Sequence, residues 1–359
     1  MTEIKTIGIL GSGQLGRMTA LAAAQMGIRA HIFAPDATGS PAAEVAHSAT
    51  QAAYEDEVAL AAFGKDIDAV TSEFENVPAA TMDILARYCP VSPGHDALHV
   101  AQNRLREKTL AADLGIATPA FWAVRSAGDL ADALTALSGP ELNGRGVLKT
   151  TEQGYDGKGQ MRVASGDDAE SIWAEINTYE AILESFIDFV SEVSFLVWRD
   201  ADGRSGVFPP ALNTHKNGIL ATSIGPAPDI DKATLTRGAE AAMAIAEAVK
   251  LHGVLAMEAF VSTTGEIIFN EIAPRPHNSF HWTIEGCVTS QFAQLVRIIS
   301  GLGAGDTAAR GTWQMDNLLG EDLHRLNSLY ADGGRAVHLY GKADARQGRK
   351  MGHVTWQTG

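Results

Sequence analysis

The sequence has little cysteine: Cys89 and Cys287 are the only two in 359 residues. They form no C-x-x-C pair, which excludes a disulfide framework and points to a reducing cytoplasm. Positive charge is not in excess. Lys and Arg number 28 against 43 Asp and Glu, a formal net charge of -15. That argues against nucleic acid or an anionic membrane as the main partner, although a local cluster of Arg and Lys still suits a small anion. Long apolar runs are missing too. The opening "MTEIKTIGIL" is broken by Gly8 and Gly11 and is too short for a signal-peptide core. No later run reaches membrane-spanning length. Internal repeats and low-complexity tails are absent, apart from an alanine bias. The expectation is a soluble intracellular protein, 45% hydrophobic and long enough for two or three domains.

What is present begins with alternation of strand and helix. "KTIGIL" reads as a buried strand, "QLGRMTALAAAQMG" as a helix closed by Gly27, "RAHIFAP" as a second strand, and Ala69 to Ser72 as a further one. Short links between such elements predict a parallel sheet with ligands at its carboxyl ends. The middle reads as mainly antiparallel α+β. "NRLREKTLAADLG" is a helix, and "GVLKTT" and "AILESFI" are strands flanking a glycine-rich loop. A strand pair turns at Asp200 to Gly203, a long helix starts at an Asp in "DIDKATL", and a hairpin turns around Thr263 to Gly265. The boundaries fall at about residues 1–100, 101–300 and 301–359.

Five stretches carry candidate chemistry. "GSGQLG", Gly11 to Gly16, matches G-x-G-x-x-G between strand and helix, with Asp36 twenty residues on. It suits a dinucleotide, or a tight turn whose amides approach another anion. The loop "GYDGKGQ", Gly154 to Gln160, is no Walker loop, because no Ser or Thr follows Lys158. The hairpin pairs Glu258 with about Phe269 and puts Glu271 one diagonal step away on the same face. Two such carboxylates suit a hard cation such as Mg²⁺; the alternative is a solvated polar face. "NEIAPRPHNSFHWT" crowds Asn270, Glu271, Arg275, His277, Asn278 and His281 after a strand and is stiffened by Pro274 and Pro276. A rigid guanidinium beside an amide suits an anion. "TSEFENVP" sets Glu73, Glu75 and Asn76 at a parallel-strand end, and "GKADARQGRK" gathers Lys342, Arg346, Arg349 and Lys350, a basic cluster suited to a phosphate.

These motifs, in this order, resemble the ATP-grasp superfamily and, within it, the 5-(carboxyamino)imidazole ribonucleotide synthetase family of purine biosynthesis. "GSGQLGRM", "EFENVP", "GYDGKGQ", "SEVS", "NEIAPRPHNSFHWT" and "GRKMGHV" carry the resemblance, which runs from about residue 4 to about residue 356. It implies a Rossmann-like first domain, ATP-grasp domains with a flap subdomain at about residues 115–185, and a small C-terminal module that completes the acceptor site. ATP is the implied co-substrate, with Mg²⁺ or Mn²⁺. The glycine loop becomes a flap over the ATP phosphates.

Residue by residue, the resemblance assigns Arg104 and Lys149 to the phosphates, together with the flap Gly154, Tyr155, Asp156, Gly157, Lys158, Gly159 and Gln160. It assigns Glu184, Ser185, Phe186 and Ile187 to adenine, Glu192 to the ribose, and His215, Asn270 and Glu271 to the rest of the ATP site. Glu258 and Glu271 are the implied metal carboxylates. Arg275, His277 and Asn278 would hold bicarbonate or carboxyphosphate. Gly13, Gln14, Leu15, Glu73, Asn76, Lys342, Arg349 and Lys350 would face 5-aminoimidazole ribonucleotide, with Lys350 also among the catalytic set. The resemblance further implies a homodimer. The rivals are a formate-dependent glycinamide ribonucleotide transformylase, an NAD-dependent oxidoreductase built on "GSGQLG" and Asp36, and a nucleotide sensor without turnover.

Overall fold

The computed structural model describes residues 5–152, 154 and 159–359. The first unit is a parallel sheet of β1 (Thr6–Leu10), β2 (Arg29–Ala34), β3 (Ser48–Gln51), β4 (Ala69–Ser72) and β5 (Val91–Ser92), in the order β3-β2-β1-β4-β5. β1 lies between β2 and β4 with Ile7 and Ile9 wholly buried, which is why "IGIL" is apolar without alternation. Gly8 is required by packing, since a Cβ there would meet Phe63 and Ile67 at 2.6 Å. The helix Gln14–Gln25 ends as expected at Gly27, whose φ is +73°.

Four antiparallel strands form a separate lobe: β6 (Phe121–Val124), β7 (Arg145–Thr150), β8 (Gln160–Ala164) and β9 (Ala181–Ser185), in the order β6-β9-β7-β8. This corrects the expected flanks of the glycine loop. The loop joins β7 to β8, a strand that the sequence reading missed, while β9 pairs with the other edge of β7. Gln160 is therefore the first residue of a strand. Tyr155, Asp156, Gly157 and Lys158 lie outside the described residues.

The largest sheet is built from β10 (Phe189–Arg199), β11 (Ser205–Val207), β12 (Ala211–Lys216), β13 (Ile219–Gly225), β14 (Gly253–Ser262), β15 (Ile267–Ala273), β16 (Trp313–Leu319), β17 (Ala336–Leu339) and β18 (Lys350–Gln357). Its order is β15-β14-β10-β12-β13-β16-β18-β17, with β11 beside β10. The last three strands come from the C-terminal stretch, so this stretch extends the central sheet. The turn after β10 forms because the Asp200 carboxylate accepts from the Asp202 and Arg204 amides at 3.0 and 2.9 Å. The long helix Lys232–Ala248 starts at Asp231, whose side chain caps Thr234 N.

One apolar core joins these units. Ile7 and Ile32 of the parallel sheet, Leu196 of β10, Phe292 and Val296 of the helix Gln291–Ile299, and Met315 and Tyr340 of the C-terminal stretch belong to one cluster. The four-stranded lobe has its own, formed by Val124, Leu130, Leu134, Leu148, Val163 and Leu183.

Candidate active site

The parallel sheet reverses direction of growth at β1, with β2 on one side and β4 on the other. The crevice at the carboxyl ends of these strands is where such sheets hold ligands. It opens into a cavity of about 950 Å³. The sequence-predicted residues Gly13, Gln14, Leu15, Glu73 and Asn76 line it from the first unit. Arg104, Gly154, Glu258, Glu271, Arg275, His277 and Asn278 line it from the centre, and Lys342, Arg349 and Lys350 from the C-terminal stretch. Lys149, Gly159, Gln160, Glu184, Ser185, Phe186, Ile187, Glu192, His215 and Asn270 do not line this cavity.

The glycine turn is already occupied by the protein itself. Gly13 N and Gly16 N donate to the two carboxylate oxygens of Glu73, at 2.6 and 2.5 Å. Asp36, the residue a dinucleotide ribose would need, accepts from Ser12 Oγ at 2.6 Å. Close approach explains the glycine at position 16: a Cβ there would lie 2.7 Å from Glu73 Oε2. The fingerprint therefore serves an internal carboxylate, and Glu73 is turned toward the turn as well as lining the cavity. Burial raises the Glu73 pKa, against the two amides and the Arg275 charge, which lower it.

The hairpin departs from the expected register. Val261 pairs with Ile267 and Ala259 with Phe269, then the register shifts and Glu258 stands directly opposite Glu271. Asn270 is the extra residue of a β-bulge. The helix Arg104–Asp113 explains how the bulge is held. Asn103 caps it by accepting from Leu105 N and Arg106 N. One face, at spacing i, i+3, i+4, then grips β15. Arg104 Nη1 donates to Glu271 Oε2 at 2.8 Å, Glu107 Oε1 accepts from Ile272 N at 3.0 Å, and Lys108 Nζ donates to the Asn270 carbonyl at 2.5 Å. Glu107 and Lys108 were missed by sequence reasoning, although their spacing from Arg104 was visible. Both are buried, which pushes the Glu107 pKa up to about 8 and the Lys108 pKa down to about 8.

Burial raises both hairpin carboxylates, but their partners separate them. Arg104 outweighs burial at Glu271 and brings it to about 2, while Glu258 faces the Glu271 charge and is pushed up to about 7. One of the pair is thus poised to hold a proton unless a cation shares the site. Two hard oxygen donors with this frustration fit a divalent ion of the Mg²⁺ type. Among the described residues no group of three or more His, Cys, Asp or Glu is arranged to hold a metal, so the remaining donors have to come from elsewhere, such as phosphate oxygens or water.

The loop after β15 is held by groups from two directions. Arg275 makes a two-point pair with Glu75, Nε to Oε2 at 2.5 Å and Nη2 to Oε1 at 3.2 Å. Glu75 stands at the strand end expected from the sequence, which did not reveal this partner. His277 Nδ1 accepts from Ser279 N at 3.4 Å, and burial, then Arg275 and Lys350, bring its pKa to about 3. The ring is neutral, and its Nδ1 also lies 2.8 Å from Ser279 Oγ. The Asn278 side chain is buried, and both its polar atoms lack a hydrogen-bond partner among the described residues.

A second cluster lies toward the four-stranded lobe. Glu184 is buried between Lys149, 2.9 Å away, and Lys108, 3.5 Å away, and these charges bring its pKa down against burial. Ser185 N and Phe186 N already donate to Ala120 O and Arg145 O, each at 2.8 Å. Glu192 and His215 are paired, and that pairing raises the histidine pKa although burial lowers it. Arg104 Nη2 reaches the Gly154 carbonyl at 3.1 Å, linking the loop after β7 to the hairpin carboxylates. On the far wall Lys342 Nζ donates to Gln14 Oε1 at 2.6 Å and to the Lys350 carbonyl at 2.7 Å, and Arg349 Nη1 donates to the Asp344 carbonyl at 2.8 Å.

Comparison with known proteins assigns the class. Residues 109–292 match the ATP-grasp domain model, residues 4–102 the ribonucleotide synthetase preATP-grasp domain, and residues 314–358 the phosphoribosylaminoimidazole carboxylase C-terminal domain. The chain is 45% identical to an N5-carboxyaminoimidazole ribonucleotide synthase of Brucella melitensis, over 98% of this chain and 95% of that one. It is 36% identical to the Bacillus subtilis enzyme of the same name, over 98% and 90%. The crystal structure of the synthetase from Thermus thermophilus superimposes with a TM-score of 0.89 at 39% identity, covering 98% of this chain and 93% of that one. The synthase from Aspergillus clavatus, in complex with ADP and 5-aminoimidazole ribonucleotide, gives 0.89 at 26% identity, covering 100% and 95%. The fold and the site together are those of an ATP-grasp ligase. Within that class, the chain belongs to the N5-carboxyaminoimidazole ribonucleotide synthase family.

Proposed function

We propose that this chain uses ATP and bicarbonate to carboxylate the exocyclic amine of 5-aminoimidazole ribonucleotide, giving the N5-carboxyamino product, ADP and phosphate, as a step of purine biosynthesis. The observation that carries the reading is the shared cavity in which the hairpin carboxylates, the Arg275–Asn278 loop, the first-unit strand ends and the C-terminal basic residues meet. A bicarbonate oxygen attacks the γ-phosphorus of ATP, ADP leaves, and carboxyphosphate forms. That anhydride, or the carbon dioxide it releases with phosphate, takes the amine nitrogen at carbon, and the amine proton passes to a base.

Each residue has a role in this scheme. Arg104, Lys149 and the loop from Gly154 to Gln160 offset the phosphate charge, and the loop excludes water from a hydrolysable intermediate. Glu184, Ser185, Phe186 and Ile187 recognise adenine, with the Ile187 amide as a donor, Glu192 the ribose, and His215 and Asn270 the remainder of the nucleotide. Glu258 and Glu271 would hold Mg²⁺ or Mn²⁺, which when bound neutralises charge on the transferring phosphoryl group. Arg275, neutral His277 and Asn278 hold bicarbonate, the Asn278 amide supplying one donor and one acceptor. Gly13, Gln14, Leu15, Glu73 and Asn76 shape the acceptor pocket, and Lys342, Arg349 and Lys350 take its phosphate. The assembly is a cytoplasmic homodimer; light scattering that gives a monomer at working concentration would reject the dimer.

The test is ADP release from ATP, Mg²⁺ and bicarbonate, with and without 5-aminoimidazole ribonucleotide, and with glycinamide ribonucleotide plus formate for comparison. Strong stimulation by the imidazole acceptor alone supports the reading. Stimulation by the glycinamide pair would transfer the chain to the transformylase reaction.

A further inference from the structure

Gln291 is the first residue of the helix Gln291–Ile299, wholly buried behind the cavity wall. Its side chain is committed to the loop in front of it. Oε1 accepts from His277 N at 2.8 Å, and Nε2 donates to His277 O at 2.9 Å. A primary amide that meets both the N–H and the C=O of one residue imitates a neighbouring β-strand and fixes the peptides on both sides of it. The amide orientation is set by chemistry, because His277 N can only donate and its carbonyl can only accept. Nε2 also lies 2.9 Å from His281 Nδ1. With Nε2 as donor, that nitrogen must accept, so His281 is neutral with its proton on Nε2. Burial, which holds the His281 pKa well below its ordinary value, favours the same neutral ring. Gln291 is anchored in turn: its backbone N–H donates to Thr283 Oγ1 at 3.1 Å, and that hydroxyl donates to Phe280 O at 2.6 Å.

The locked residue stands between Arg275 and Asn278. Asn278 is the loop's costly element, since its amide oxygen and nitrogen are buried without partners among the described residues. A loose loop would let that amide turn and bond its own backbone. A backbone clamped at His277 keeps a donor and an acceptor aimed at a ligand.

We infer that Gln291 is the positioning residue of the anion loop, fixing where Arg275 and Asn278 meet bicarbonate and selecting the Nε2–H form of His281. The inference rests on the proposed assignment of this loop to bicarbonate. Gln291→Met keeps the volume and removes all three side-chain bonds. The expected result is a rise in KM for bicarbonate of roughly tenfold or more, with KM for ATP within about twofold, since each ~1.4 kcal/mol is a factor of ten. Gln291→Glu, as a carboxylate, can still accept from His277 N but cannot donate, and it is expected to fall between wild type and Met. Unchanged bicarbonate KM, or equal rises for bicarbonate and ATP in a folded variant, would overturn the role. Nitrogen-15 imidazole spectra of the wild-type enzyme supply a second reading that needs no variant to fold: His281 should carry its proton on Nε2, and an Nδ1–H ring would overturn the network. If the wild type ignores bicarbonate or the imidazole acceptor, the proposed reaction fails, while the spectrum still decides the Gln291 network.

Discussion

Glu258 and Glu271 face each other across the β14–β15 hairpin, and only Glu271 is compensated by a guanidinium, that of Arg104. The asymmetry suits the proposed cation site, in which one arm is already set. Glu271→Ala should remove that arm and lower kcat for ATP turnover by at least about two orders of magnitude. ADP release at saturating Mg²⁺ measures it, and near-normal turnover would take Glu271 out of the metal site.

The other arm predicts a pH dependence of stability. The Glu258 pKa rises from 4.5 to about 7 on folding, driven by burial and then by the Glu271 charge. A raised pKa contributes stability that is fully present below pH 4.5 and is lost as the pH climbs through 7. Glu258→Gln mimics the protonated form at every pH. In metal-free buffer the wild-type Tm should therefore fall relative to Glu258→Gln between those two values. Mg²⁺ with ADP should reverse the trend. A difference independent of pH would mean that Glu258 does not titrate there.

Lys108 stands where the helix Arg104–Asp113, the β15 bulge and Glu184 meet. Lys108→Met leaves the Asn270 carbonyl and one Glu184 oxygen without their ammonium. Because removing one member of a buried ion pair is strongly destabilising, the variant should lose about 3 kcal/mol in urea unfolding. A loss of a few tenths would show that water replaces the lysine without strain.

Lys350→Ala should raise KM for the ribonucleotide roughly tenfold and leave KM for ATP unchanged, as expected for loss of a charge-assisted phosphate contact. Equal effects on both substrates would move Lys350 out of the acceptor pocket.

The legible parts of the chain are those set by neighbours in sequence. β4 is readable at Ala69 to Ser72, the helix ending at Gly27 by its glycine, and the start of the long helix by an Asp in "DIDKATL", which in the structure is Asp231. The hairpin turn is legible as well, but not its register. The bulge at Asn270 depends on Lys108, 162 residues away, and no local pattern encodes it. The strand β8 does alternate polar and apolar in "QMRVA", but it is only five residues long and follows the glycine loop directly, where a longer strand was expected at "AILESFI". Of the two readings the glycine fingerprint leaves open, the structure fits the tight turn whose amides meet an acidic group, and that group is the carboxyl of Glu73, a residue of the chain itself. Motif chemistry indicates the kind of group that binds there, and only tertiary structure identifies it.

Two of the apolar clusters among the described residues bear on cooperativity. The parallel sheet, the central sheet and the C-terminal strands share side chains in one core, so none of them can melt without exposing the others. The β6–β9 lobe keeps its own core and loses little of it when the rest opens. Amide exchange should accordingly fall into two protection classes. The lobe can exchange through its own sub-global opening, whereas the first unit, β10, the helix Gln291–Ile299 and the C-terminal strands respond to denaturant as one foldon. Thr151, just past the end of β7 where its carbonyl meets Arg104 N, thus borders a part of the molecule that can open without loss of the cavity's other walls.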